Sequence, residues 1–344
     1  NGPRLSQAYH IDLSSTSKLL SVMQVFKIFC STSLMLGVLG IAFLPGCTWP
    51  SPDSQVSRHN ATVPVQTTAL SLTLDDPTEN GLQAILGTTV LRPGSQRVSF
   101  LLATPDALVT VPAVTVTSFY NQDPSQQPRE TTSAHFTPWP YGIKGNYTTE
   151  LSFDRQGTWR LDIDAGYRDG APMIFRLFVD VQNGFGVIDI NSVPPLSFNK
   201  TLSAGETLGQ LTSAFSPDPD LYSITIAEAI SSGQPTMVVF ATPAFCVSPT
   251  CGPQVDTVQA IKEQYQGLAH FIHIESYDNP EEIQGDLSKA RFSPIVREWG
   301  LTTIPHWTNE SWVFIIGRDG RVKARFEAYT PASELEKGLL KTFD

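Results

Sequence analysis

Cys246 and Cys251 are the residues of this chain best placed to do chemistry. They lie in Phe240-Ala-Thr-Pro-Ala-Phe-Cys246-Val-Ser-Pro-Thr-Cys251-Gly-Pro-Gln254. The apolar run Met237–Phe240 before them reads as a buried strand. After them Val255, Val258, Ile261 and Tyr265 recur at helical spacing. A helix N-terminus favours thiolate over thiol, so a strand-to-helix junction is a favourable place for a reactive cysteine. In a straight helix, positions five apart are separated by about 7.5 Å along the axis. A disulfide needs Cα atoms roughly 4.4–6.8 Å apart. Pairing therefore requires a loop over Val247–Thr250, and Pro249 suits one. Ser248-Pro249 can also start a local helix, which leaves Cys246 just outside its positive end. Cys246 is then the better attacking thiolate, and the more enclosed Cys251 the better resolving thiol. A purely structural bond is the competing reading. Closing so short a loop contributes only about 2 kcal/mol on chain-entropy grounds, which leaves that role open.

The rest of the 344-residue chain must position this pair and set its redox environment. A formal net charge of −10 and the lack of a basic run argue against a nucleic-acid surface. Four cysteines, at 30, 47, 246 and 251, are too few for a disulfide-dense scaffold. Ser33–Gly46 is apolar but only 14 residues long, short of the roughly 20 that a spanning helix needs. With Lys27 upstream and Met23 as a candidate start, residues 1–47 read as a signal segment. Its end, Leu44-Pro45-Gly46-Cys47, resembles the bacterial lipobox, in which the cysteine is lipidated. That resemblance implies export and a membrane anchor at Cys47, on the outer face of the cell membrane. Outside the cytosol disulfides persist, and Cys246 and Cys251 would be the two free thiols of the mature chain. An ordinary signal peptide or an uncleaved anchor, with Cys47 free, is the other reading, and it also exports the rest.

Residues 48–64 are Pro- and Ser-rich and read as a flexible tether. Residues 65–182 are expected to be an all-β domain, with strands at Thr68–Leu74, Arg97–Ala103, Val109–Phe119, Tyr147–Phe153, Thr158–Asp164 and Met173–Val181. Turn signals at Arg92-Pro-Gly, Asp154–Gly157 and Arg168-Asp-Gly170 separate them. Short strands at this spacing suggest an antiparallel sandwich. The stretch Gly145–Leu161, with Tyr147, Phe153 and Trp159, resembles a late hairpin of immunoglobulin-like extracytoplasmic domains. Residues 183–206 lose periodicity and read as a linker. N-x-S/T sequons at Asn60, Asn146, Asn199 and Asn309 read as chance matches of a short pattern.

From about residue 207 to 344 strands and helices alternate. Thr225-Ile-Ala-Glu228 is a capping box. Strands are expected at Thr236–Ala241, His270–Glu275, Trp312–Ile316 and Val322–Ala328, and helices over about 253–266, from Ser293-Pro294, and from Thr330-Pro331. This order, the cysteine pair ending in Cys251-Gly-Pro, and Trp299-Gly300-Leu-Thr-Thr-Ile304-Pro305 together resemble the thioredoxin-like superfamily. The resemblance implies an α/β thioredoxin-like domain and a thiol–disulfide oxidoreductase acting through Cys246 and Cys251 on protein or small-molecule thiols and disulfides, without a cofactor. It implies that Pro305 is the cis-proline beside the cysteines, with Ile304 and Pro305 as substrate-binding residues. About six extra residues, His306–Ser311, precede the strand at Trp312, so Ser311 is the alternative for that place. The motif departs from the family's two-residue spacing, Gln254 stands where its second cysteine would fall, and the strand Thr236–Phe240 lacks the buried acid common there.

Two other functions stay open. One is a non-catalytic binding or scaffold module with a structural disulfide. The other follows from copper chaperones of the same fold, which use a cysteine pair with a distant histidine. Cys246, Cys251 and His273 would then hold Cu(I), with His270 and His306 also in this domain. His273 reads equally as a packed strand residue. Asp256 and Glu275 read as proton-transfer aids or as charges at element ends.

Overall fold

The computed structural model describes residues 81–140, 144–184, 186–305, 307 and 309–343. The signal segment with Cys47, the tether 48–64, the strand expected at Thr68–Leu74 and His306 lie outside the described residues. The described residues belong to one compact unit.

Seven strands form the first sheet: β1 Gln83–Leu86, β2 Gly94–Ala103, β3 Ala113–Tyr120, β4 Pro128–Pro138, β5 Gly145–Phe153, β6 Gly157–Arg168 and β7 Ala171–Val181. Every pairing is antiparallel, in the order β1-β2-β5-β4-β3-β6-β7. The alternation that predicts the strands is what fills the core. On β6, Trp159, Leu161 and Ile163 are fully buried, and on β7 Phe175, Leu177 and Val181 match them. Phe100, Tyr147 and Phe153 close the same cluster. The expected antiparallel architecture is present, but as one continuous sheet and not as two facing ones. The sheet curls, because Leu91, just past β1, bridges Val181 at the end of β7, and Gln182 N–H donates to the Leu91 carbonyl at 2.9 Å. β1 and β4 are additions to the strands read from the sequence.

The second sheet has four strands, β8 Thr236–Ala241, β9 His270–Glu275, β10 Trp312–Ile316 and β11 Val322–Glu327, in the order β11-β10-β8-β9. β8 and β9 run parallel, and the other pairs are antiparallel. The helices are α1 Leu208–Leu211, α2 Ile226–Ser231, α3 Cys251–Gln264, α4 Pro280–Ile283, α5 Pro294–Glu298 and α6 Ala332–Leu340. Side chains alternate across a strand, so β8 serves two cores. Val238 and Phe240 pack with Trp299, Ile272 and Phe314 on one face. Met237, Val239 and Ala241 pack on the other with Val255, Val258 and Ile261 of α3 and with Leu335 and Leu339 of α6. A strand covered on both faces reads as an unbroken apolar run, as β8 does. The Thr225–Glu228 capping box forms at the start of α2, with both reciprocal hydrogen bonds present. Among the described residues no helix is long and apolar enough to cross a membrane.

The segment expected as a linker is docked. Val187 is buried against the second sheet, and the Ser197 hydroxyl donates to Glu298 at 2.6 Å and accepts from the Trp299 indole at 3.2 Å. Gly300, with φ +75°, faces this segment so closely that a Cβ would overlap the Gly186 carbonyl. The two sheets also share a polar seam. The Glu327 carboxylate, at the end of β11, accepts from the backbone N–H of Thr89 at 2.7 Å and of Val90 at 3.3 Å, and from the Thr89 hydroxyl. Arg97 of β2 pairs with Glu334 of α6, and Arg92 donates to the Val187 carbonyl at 3.0 Å.

Candidate functional site

β8 ends at Ala241, and the chain runs through a loop, residues 242–250, before α3 begins at Cys251. Cys246 and Cys251 form a disulfide, with Cα atoms 6.0 Å apart. The loop that this pairing requires is present. Ser248-Pro249 lies in it without starting a helix, since the first helical residue is Cys251 itself, after Thr250. Cys251 is fully buried, while Cys246 is partly exposed and Val247 beside it is exposed.

The segment that faces the sulfurs is Asn309–Glu310, just before β10. It arrives there because β10 pairs antiparallel with β8, with Trp312 opposite Phe240, so the start of β10 abuts the end of β8 where the disulfide loop leaves. The Asn309 carbonyl oxygen lies 3.9 Å from the Cys246 sulfur and 3.7 Å from that of Cys251. Its side chain holds the loop by accepting from Val247 N–H at 3.2 Å and donating to the Phe245 carbonyl at 3.0 Å and the Tyr277 hydroxyl at 2.8 Å. Asn309 has φ +56°, a left-handed conformation that asparagine tolerates better than most residues.

Glu310 brings a carboxylate to the pair. Its oxygen and the two sulfurs all lie within 4.8 Å of one another. Glu310 accepts from the Ser248 hydroxyl at 2.8 Å and from the Thr250 hydroxyl at 3.5 Å. Burial pushes its carboxyl above the usual range, against the opposing pull of these hydrogen bonds. β8 itself carries no acid, and Glu310 reaches the pair from just before β10. Glu310 was not part of the site read from the sequence. The signal that points to it is the run of extra residues before Trp312, which ends beside the disulfide loop.

A second acid lies under the loop. Glu275 pairs in register with Ala241, and its carboxylate accepts from Ser213 N–H at 2.8 Å and the Ser213 hydroxyl at 2.7 Å. The Ser213 hydroxyl in turn accepts from Ala244 N–H at 3.1 Å. Glu275 therefore braces the disulfide loop through one serine. It is buried and not a surface charge, and burial pushes its carboxyl up to about 7. Asp256, by contrast, is exposed on α3.

Two sequence-based placements change. Among the described residues no peptide bond is cis, so Pro305 does not take the cis-proline conformation. The residues between it and β10 put Asn309 and Glu310 against the sulfurs instead, while Ile304 and Pro305 line an adjacent cleft with Ser248, Thr250 and Glu310. His273 is not brought to the cysteines. It is buried on β9 with its Nε2 3.2 Å from the Ala241 carbonyl and its Nδ1 2.7 Å from the Tyr222 hydroxyl. A carbonyl can only accept, so Nε2 carries the proton and Nδ1 accepts from tyrosine. Burial lowers the imidazole to about 4, so the ring is neutral near pH 7 and both its nitrogens are used. Of the residues that could hold a metal, the described chain gathers Cys246, Cys251 and Glu310, not His273. Gln254 is buried and clamps Thr330, accepting from its N–H at 2.6 Å and donating to its carbonyl at 3.3 Å. Of the sequon asparagines, Asn146, Asn199 and Asn309 are all buried.

No protein-family model matches this sequence, and no curated protein matches it. Among solved structures, the chain is similar to a thiol:disulfide interchange protein of the thioredoxin family from Chlorobium tepidum TLS, at 12% identity and a TM-score of 0.28, over 40% of this chain and 99% of that one.

Proposed function

We propose that this protein is a thiol–disulfide oxidoreductase of thioredoxin-like type, exported and tethered to the membrane through Cys47. The observation that carries the reading is the asymmetry of the pair. A partly exposed Cys246 is bonded to a fully buried Cys251 at the first turn of α3, with the Glu310 carboxylate within 4.8 Å of both sulfurs. In the reduced protein the Cys246 thiolate attacks a partner disulfide. The partner's S–S bond breaks, one partner sulfur leaves as a thiolate and takes a proton from solvent, and the other stays bonded to Cys246. Cys251 then gives its proton to Glu310 and attacks the Cys246 sulfur, which releases the second partner thiolate. The protein is oxidised by two electrons and the partner disulfide is reduced to two thiols. Run backwards, the same steps oxidise a dithiol.

The hydrogen bonds of Asn309 and Glu310 to the loop do not pass through the S–S bond, so they support one loop geometry in both redox states. This favours a working pair, since a preorganised site needs little rearrangement. The second reading, a scaffold module with a structural disulfide, is favoured by the bond itself, which joins the loop to the start of α3. The two separate in a turbidity assay of insulin reduction, run on the whole protein with a thiol reductant. Turnover that Cys246→Ser abolishes supports the oxidoreductase, and turnover no faster than the reductant alone removes it. The membrane tether is tested by lipid labelling, which Cys47→Ala must abolish.

A further inference from the structure

A cleft of about 380 Å³ opens between the curled sheet and the disulfide loop, within the range usual for ligand sites. Leu101 and Phe178 of the first sheet and Trp139 just past β4 form one wall, and Ile304, Pro305 and Trp307 the other. Ser248, Thr250 and Glu310 also line it. Two of these lie inside the ring closed by the Cys246–Cys251 bond, and the third has its carboxylate within 4.8 Å of both sulfurs. Whatever fills the cleft therefore touches the reacting loop.

The chemistry of the walls narrows the occupant. Asp180, Glu310 and Glu327 are the acidic residues among the described lining, and no Lys, Arg or His is with them. With no cation among the described lining to pair with it, an anionic ligand such as glutathione is disfavoured, and a neutral or cationic one favoured. The aromatic and aliphatic walls ask for a large apolar group. Trp307 contributes its ring to this wall, while its indole N–H is sealed from solvent. A polypeptide segment can carry both the apolar group that these walls ask for and the sulfur that must meet Cys246, which lies in the loop lining the cleft.

We propose that the cleft is the substrate subsite of the cysteine pair, and that it takes a polypeptide segment, neutral or cationic, with an aromatic or large aliphatic side chain within one or two residues of its own cysteine. Ile304 and Pro305 act here as substrate contacts from the cleft wall. The proposal rests on the thiol–disulfide reading. The step is the exchange given above run backwards: the segment's first thiolate attacks the Cys246 sulfur and expels the Cys251 thiolate, and a second segment thiolate then attacks that first segment sulfur and expels the Cys246 thiolate, so two peptide thiols become one peptide disulfide as Cys246 and Cys251 are reduced.

The test uses the whole oxidised protein and short capped peptides, X-Cys-Gly, with X as Trp, Leu, Gly or Asp. Each rate of reduction of the Cys246–Cys251 bond is divided by that peptide's rate with a small aromatic disulfide, which removes intrinsic thiol reactivity. Burial of an aromatic group predicts that the Trp peptide outpaces the Gly peptide roughly tenfold or more, with Asp slowest. In Phe178→Ala, or in Leu101→Ala if the first does not fold, the Trp-to-Gly ratio falls toward one. Equal ratios for all four peptides overturn the subsite and leave the redox reading standing. A small aromatic thiol without a peptide backbone that gains the same acceleration overturns the polypeptide assignment. If no peptide exchanges, the redox reading fails and the cleft is judged by calorimetry with the unreactive Trp-Ser-Gly peptide. Binding lost in Phe178→Ala supports a peptide subsite, and no binding overturns it.

Discussion

Glu327 offers a clean test of how burial sets the electrostatics of this fold. Its carboxyl lies in the seam between the two sheets, and burial pushes it up to about 7, against hydrogen bonds from Thr89 and Val90 and the charge of Arg325. In the unfolded chain it returns to its ordinary value near 4.5. Between those two values the folded chain keeps a proton that the unfolded chain has lost, so stability falls as pH rises. Below both values the group has no effect. Above both it destabilises the fold by about 3 kcal/mol, the free-energy equivalent of the difference between the two titration points. Glu327→Gln removes the charge and keeps the contacts: the amide oxygen accepts from the Thr89 and Val90 N–H groups, and the amide nitrogen donates to the Thr89 hydroxyl. Urea unfolding of parent and variant should agree within about 1 kcal/mol at about pH 4, with the variant more stable by roughly 2–3 kcal/mol at about pH 8. A stability difference that does not change with pH, or one that turns against glutamine as pH rises, refutes the reasoning.

Three further outcomes follow from the site. Cys251→Ser leaves an attacking thiol without a resolving one, so incubation with a disulfide peptide should accumulate a mixed disulfide on Cys246, read as a mass increase that a reductant removes. Glu310→Gln removes the proton acceptor for Cys251. It should slow the resolving step on the order of 100-fold and flatten the rise of that rate with pH, which in the parent follows ionisation of the upward-shifted Glu310 carboxyl. Gln254→Ala deletes both hydrogen bonds to Thr330 and leaves two buried backbone groups unpaired, a cost of about 2–4 kcal/mol in urea unfolding.

What the residues disclosed depended on whether a local pattern carried the information. β6, β7, β8 and β10 were legible because burial on one or both faces writes alternation or an unbroken apolar run into the strand. β4 was not, since Ala134 alone of its eleven residues is buried and its Thr, Ser, Arg and Glu give no apolar period. β1 has four residues, too few for a period to show. The continuous sheet in place of a sandwich is a matter of pairing, and pairing between Leu91 and Val181 leaves no trace in either segment. That pairing of the cysteines would require a loop between them was legible from spacing, while their use as a pair or as metal ligands was left open. Glu310 was not legible, because it lies some sixty residues away and reaches the sulfurs only through the register of β10 on β8. The same register explains why Pro305 yields its expected place to Asn309. His273 stood two residues from Glu275 as expected, but the sequence could not reveal that Tyr222 and the Ala241 carbonyl occupy its ring.

The central claim is that Cys246 and Cys251 exchange electrons with a partner. The most direct measurement equilibrates the whole protein in dithiothreitol redox buffers and counts alkylated thiols by mass. A working pair gives a midpoint above about −300 mV, and both thiols are alkylated together. A midpoint well below about −300 mV, with no catalysed exchange, would make the bond a structural staple and contradict the account.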